Sequence, residues 1–166
     1  MKKIILFSAL AMLIAASCTE NNANTENITD STEMSSSQIN ISSGEQTFIH
    51  ADENELAGIR KALDLYCEAS VQGDSKVAEP AFASTATMSF VEDGKLVSVP
   101  IQALFDYYNA TGKQPASYEI VSCDVATDVA IVSIKSQFGD ARFEDMFTLV
   151  KDGDDWKIIS KVYHLV

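Results

Sequence analysis

The sequence predicts an α+β domain, a curved antiparallel sheet with helices packed on one face, and three observations lead there. Apolar residues recur at helical spacing between residues 52 and 82 and again from 100 to 112. From residue 117 the period changes to two over four consecutive segments, 117–125, 128–138, 143–150 and 156–165. Short turns join these segments, and strands so joined pair antiparallel, because a parallel return needs a crossover of a dozen or more residues. With the helices lying upstream of those four strands, helical cover on one sheet face is the economical arrangement.

The elements follow in order. Asp52, with Glu55 three residues on, has the form of a capping box, and Leu56, Ile59, Leu63, Tyr66 and Cys67 then share one helical face. Gly73 is placed to end that helix, because a glycine takes the left-handed conformation without a Cβ clash. Asp74 caps a short second helix running towards Phe82, with Val77, Ala81 and Phe82 as its apolar positions and Pro80 limiting its length. Residues 85–91 and 95–99 form a hairpin about Asp93-Gly94, a dipeptide suited to the type I′ turn. Pro100 opens the next helix at its first position, Ile101, Leu104, Phe105 and Tyr108 line its apolar side, and Gly112 stops it. The long strands turn at Ala126-Thr127, at Gly139-Asp140 and at Asp152-Gly153-Asp154-Asp155.

The chemistry that stands out lies in the last hairpin. Phe143, Asp145, Phe147 and Leu149 alternate onto one face, and Trp156, Ile158, Ser160, Val162 and His164 onto one face of the next strand. With both faces inward, an acid and an imidazole sit among aromatics, which is costly unless they pair. Counting outward from the turn sets Asp145 opposite Val162 and one diagonal step from His164, within reach of a histidine. Three classes of function are open. The first is a non-enzymatic binding module whose cavity, lined by Tyr66, Met88, Phe90, Phe105, Tyr108, Phe147 and Trp156, takes a small apolar or aromatic ligand; the competing reading is that these side chains simply fill the core. The second is a small-substrate isomerase or dehydratase using Asp145 and His164 as an acid/base pair, against which stands a pair that only fixes strand register. No oxyanion donors, metal ligands or activated nucleophile accompany that pair, which leans the reading away from an enzyme. The third is an interaction protein: Val129 and Ile131 face away from Ala130, Val132 and Ile134, so both sides of the sheet carry apolar residues and a homodimer would cover the second.

Composition and the N-terminus supply an address. Lys2-Lys3, an apolar run from Ile4 to Ile14 and Ala15-Ala16-Ser17 before Cys18 have the layout of an export signal, too short to span a bilayer. Such a leader, residues 1–17, resembles that of bacterial lipoproteins, in which the cysteine is lipidated and becomes the mature N-terminus. The expectation is a lipid-anchored protein of the bacterial cell envelope. Residues 18–49, rich in Asn, Ser, Thr and Glu, form a disordered tether, and the domain occupies 50–166. A formal charge of −12 argues against nucleic acid and anionic lipid as partners, so the membrane is reached through the N-terminal lipid alone. Cys67 and Cys123 sit on apolar faces and read as core thiols, with a disulfide as the alternative in an exported protein. The scattered histidines and cysteines offer no metal spacing, and no cofactor is implied.

Residues 54–164 carry a family resemblance. Phe143-x-Asp145, the run Leu149, Lys151, Gly153 and Trp156, and the ending Lys161-Val162-Tyr163-His164 are its most specific parts, with Tyr66, Gly73 and Asp74 as a weaker one. Together with the order of elements they resemble the nuclear transport factor 2-like fold, also called SnoaL-like or cystatin-like, and within it the bacterial branch described as putative lumazine-binding. The resemblance implies a cone-shaped domain with a pocket between sheet and helices, often dimeric through the outer sheet face, in a fold that hosts isomerases, cyclases, dehydratases and many non-enzymatic binders. Where that family usually carries histidine-proline-aspartate after the second helix, this chain has Ala83-Ser84-Thr85.

Overall fold

A computed structural model describes residues 48–166; the leader, Cys18 and residues 18–47 of the expected tether lie outside the described residues. Strand β1 (Phe48–His50) precedes helix α1 (Glu53–Gln72), then two single 3₁₀ turns, Ser75–Val77 and Glu79–Ala81. Strands β2 (Phe82–Glu92) and β3 (Lys95–Pro100) form a hairpin, helix α2 spans Gln102–Thr111, and β4 (Ala116–Ala126), β5 (Val129–Phe138), β6 (Ala141–Asp152) and β7 (Asp155–Leu165) follow. They make one seven-stranded sheet in the order β1-β4-β5-β6-β7-β2-β3. Pairing is antiparallel except where β1 runs parallel to β4 and β2 parallel to β7.

The ends of α1 follow from its sequence. Asp52 Oδ1 accepts the Glu55 N–H at 2.8 Å, so one otherwise unpaired donor of the first turn is satisfied. The Glu55 carboxylate does not turn back to complete a capping box; it accepts from Trp156 Nε1 at 2.9 Å and from Lys151 Nζ at 2.5 Å, fastening the helix to β6 and β7. At the other end Gly73 takes φ 65° while its N–H and that of Asp74 bond the carbonyls of Ser70 and Ala69. A Cβ there would lie 2.6 Å from the Gly112 carbonyl carbon, so glycine is required by space as well as by conformation. Asp93 and Gly94 both have positive φ, 50° and 74°, as a type I′ turn demands.

Four boundaries depart from the sequence reading. The predicted second helix is two 3₁₀ turns, because Asp74 caps the Lys76 N–H, Asn109 Oδ1 holds the Ser75 N–H, and Pro80 has no N–H to continue a ladder. Strand β2 begins at Phe82 rather than 85, so Ala83-Ser84-Thr85 lie within it. Pro100 is the last residue of β3, paired with Thr87, and α2 starts two residues later because the Ile101 N–H bonds the Ala86 carbonyl. Phe48 and Ile49, placed in the tether from sequence, belong to the sheet through their pairing with Ser122 and Cys123.

The core lies between the helices and the inner sheet face. Ile59, Leu63 and Tyr66 of α1 and Tyr108 of α2 meet Val132, Ile134, Phe147, Leu149 and Ile158, all fully buried or nearly so. Cys67 and Cys123 are buried free thiols, the alternative of a disulfide being set aside by their positions. Tyr66 anchors the aromatic packing, edge-on to Phe82, Phe138 and Phe147.

Gly58, inside α1, offers a test of this packing. Alanine in a helix interior is ordinarily favoured over glycine by about 1 kcal/mol. Here a Cβ would come 2.7 Å from Cδ1 of Trp156, whose ring is held by Glu55. Gly58→Ala is expected to destabilise by about 1–3 kcal/mol, the usual cost of overpacking, despite its better propensity. An unchanged or raised melting temperature would show that the indole can move aside.

Candidate functional site: a buried lysine–aspartate pair under half-buried aromatics

One unpaired residue sets the geometry of β7. Thr148 pairs with Ser160 but Leu149 pairs with Ile158, so Ile159 is an extra residue, a β-bulge. Side chains after a bulge are turned over relative to simple alternation. Trp156 and Ile158 face the core, and beyond Ile159 it is Lys161 and Tyr163 that face inward, not Ser160, Val162 and His164. Asp145 is consequently opposite Tyr163, while His164 pairs with Glu144 on the outer face and is exposed. The expected Asp145–His164 pair is therefore not formed, and the acid/base mechanism built on it is withdrawn.

The partner of Asp145 is Lys161. Asp145 is fully buried and Lys161 3% exposed, and Nζ donates to Oδ1 at 2.6 Å. The second carboxylate oxygen accepts from Ser136 Oγ at 2.5 Å and lies 3.4 Å from the Tyr66 hydroxyl. Tyr66 is placed in turn by Tyr108, whose hydroxyl donates to the Tyr66 carbonyl at 2.9 Å. Lys161 Nζ lies 4.0 Å from the ring centroid of Tyr163, with the rings of Tyr66 and Phe143 at 5.8 and 5.9 Å. Burial pulls the Lys161 ammonium below its ordinary pKa, and the Asp145 carboxylate only partly offsets it. An ammonium has three donors, and among the described residues Asp145 supplies the carboxylate acceptor for one, leaving the remainder against aromatic faces.

Above this pair the inner face is open to solvent in part. Phe90 stacks on Tyr163, centroids 5.0 Å apart, and Phe143 meets Tyr163 edge-on at 5.7 Å; all three rings are half-buried. Of the seven ligand-contact residues expected from sequence, Phe90 is at this opening. Tyr66, Met88, Phe105, Tyr108, Phe147 and Trp156 are buried and pack within the core. Lys161, Ser136, Phe143 and Tyr163 went unseen as site residues, the bulge having reversed the face of two of them. Its signal in the sequence is the doublet Ile158-Ile159, where strict alternation fails. A concavity of about 670 Å³ lies elsewhere, between α1 and β4, bordered by Lys61, Asp64, Cys67, Glu68 and Tyr118. It is open, Tyr118 donates to Asp64 at 2.7 Å, and burial pushes the Cys67 thiol up to about 12, which disfavours its nucleophilic thiolate. Among the described residues no three His, Cys, Asp or Glu side chains converge to hold a metal.

Removing one member of a buried pair strands the other charge. Lys161→Met should cost about 3–5 kcal/mol in denaturant unfolding, whereas Lys161→Met with Asp145→Leu should recover most of that loss. His164→Ala should change stability by less than about 0.5 kcal/mol; a larger loss would return His164 to the core chemistry. The pH dependence has a definite sign. Burial raises Tyr66, Tyr108 and Cys67 above their ordinary values, so their contribution is whole below the unfolded pKa values of ~10 and ~8.5 and fades as pH climbs towards the folded ones. Lys161, lowered by burial, acts in the opposite sense over alkaline pH. Tyr118, Cys123 and Tyr163 are raised by burial in the same way, so with six groups against one thermal stability should fall above pH ~9, and Cys67→Ala should flatten the first part of that fall.

Comparison with known proteins places the whole arrangement. Residues 54–164 match the model of a family described as putative lumazine-binding. An NTF2-like protein of unknown function from Shewanella baltica OS155 is 34% identical, with 70% of this chain and 97% of that one covered at a TM-score of 0.65. A second, from Methylobacillus flagellatus KT, is 27% identical over 73% of this chain and 99% of its own, TM-score 0.64. Aldolase FrzH of Cladobotryum sp. is 23% identical over 118 residues, 69% of this chain and 94% of that protein. A matched segment running from the first turn of α1 to the end of β7, on an NTF2-like α+β fold, settles the relationship: the chain belongs to the putative lumazine-binding family of NTF2-like proteins.

Proposed function

We propose that the domain is a non-enzymatic binding module for a small planar aromatic molecule bearing an acceptor oxygen. The observation behind this reading is Lys161: a buried ammonium with donors to spare beneath half-buried Phe90, Phe143 and Tyr163. A ring entering there exchanges water for aromatic faces, and its carbonyl or carboxylate oxygen accepts from Nζ. The few polar groups amid apolar walls are what ligand sites are built from. The family's description names lumazine, whose ring and oxygens have that chemistry. Native mass spectrometry of the full-length protein purified from its own cells is the test. A small molecule should accompany the native chain and be lost from Tyr163→Ala. Neither a co-purified molecule nor measurable binding of added lumazine would end this reading.

The same experiment addresses a second copy as partner. On the outer sheet face Ile131, Met146 and Val162 are 63, 60 and 45% exposed, and Met146 pairs directly with Val162. Apolar groups in line on an exposed sheet face favour self-association. Met146→Lys should convert a dimer to a monomer in the mass spectrum while leaving the ligand in place. In this proposal the module is held at the bacterial envelope by lipid on Cys18, and Cys18→Ala should move the protein from the membrane fraction to the soluble one.

A further inference from the structure

The Lys161 amine has the setting of a carbonyl-capturing group. It is buried, the Asp145 carboxylate lies 2.6 Å away, and it is flanked by the half-buried rings of Tyr163 and Phe143 and the buried ring of Tyr66. That carboxylate is not committed to the ammonium alone: its other oxygen accepts from Ser136, which keeps the side chain in place while the oxygen facing Lys161 carries the proton. We propose that Lys161 Nζ captures a small aromatic aldehyde or ketone as a reversible imine, with Asp145 carrying the proton. This deepens the binding reading, on which it rests, by naming the ligand class as carbonyl compounds.

The step balances without any further reagent. Asp145 takes one proton from the ammonium, and the freed nitrogen lone pair attacks the carbonyl carbon as the carbonyl π pair moves to oxygen. A proton passes from nitrogen to that oxygen, giving the carbinolamine. Asp145 then returns its proton to the hydroxyl, the C–O bond breaks, water leaves, and the nitrogen lone pair completes a protonated C=N bond. Ammonium and carbonyl have become iminium and water, with no redox change and no net proton uptake. The iminium keeps a positive charge beside Asp145, so the ion pair survives the reaction. Burial that disfavours the charged amine raises the share of nucleophilic free base, consistent with the lowered lysine pKa.

Benzaldehyde with cyanoborohydride, applied to the full-length protein at neutral pH, reads this out, because reduction fixes any imine as a stable benzylamine. Peptide mapping should find Lys161 benzylated several-fold faster than exposed lysines such as Lys61. Lys161→Arg should remove that adduct alone. Benzoate, which has the ring and oxygens but forms no imine, is followed in parallel by ligand-observed NMR. Labelling confined to exposed lysines while benzoate still binds, and loses its site in Tyr163→Ala, overturns the imine and leaves the binding reading standing. If neither probe engages the site, both readings fall.

Discussion

Asp145 lies at the centre of the sheet's inner face with no exposure to water, and its charge is answered by Lys161, Ser136 and Tyr66 from three different elements. A carboxylate so placed is intolerable without those partners. The requirement propagates outward. Ser136 is correct only if β5 and β6 keep their register, Lys161 only if β7 carries its bulge, and Tyr66 only if α1 lies where Glu55 and Gly73 fix it. The ion pair thus ties together sheet register and helix placement. Its loss on one side would be felt in every layer.

The other end of α1 is held by a different polar contact. Glu55 joins Lys151 and Trp156, and the indole in turn lies against Gly58, which has no side chain to push it away. Between these two fixed points, Trp156 at one end and Asp145 at the other, the inner face changes from closed to open. Near Trp156 the aliphatic residues Leu149 and Ile158 close the core; towards the ends of β2, β6 and β7 the rings of Phe90, Phe143 and Tyr163 are only half covered. The site is therefore a consequence of where the helices stop reaching, and Lys161 marks the boundary between the two regimes.

Much of the fold could be read from local chemistry. Asp52, Gly73, the Asp93-Gly94 turn and the four alternating strands each act over a few residues, and each is where the sequence places it. The readings that failed depend on non-local pairing. Pro100 is an ordinary first residue of a helix until β2 claims it as a strand partner, and Phe48-Ile49 look like the end of a polar tract until β4 supplies an edge. The expected Asp145–His164 pair failed for one reason. Alternation counted through Ile158-Ile159 assigns His164 inward and Lys161 outward, and a single inserted residue exchanges them. The buried carboxylate was legible, because an acid amid Phe143, Phe147 and Leu149 demands a partner; which cation supplies it was not.

Stability alone is a weak reason for a lysine in this position. A buried ion pair returns little or nothing over a well-packed apolar pair of the same volume, since desolvation of both charges offsets their attraction. Fixing strand register would be served by any satisfied pair, including a neutral one such as two hydroxyls. What an ammonium adds is a strong donor with more than one proton to give, and in β7 its nitrogen lies 4.0 Å from the Tyr163 ring centre, with Tyr66 and Phe143 at 5.8 and 5.9 Å. In the binding proposal, reception of a ligand oxygen accounts both for the half-buried rings beside Lys161 and for their contrast with the closed packing around Trp156 a few residues earlier in the same strand.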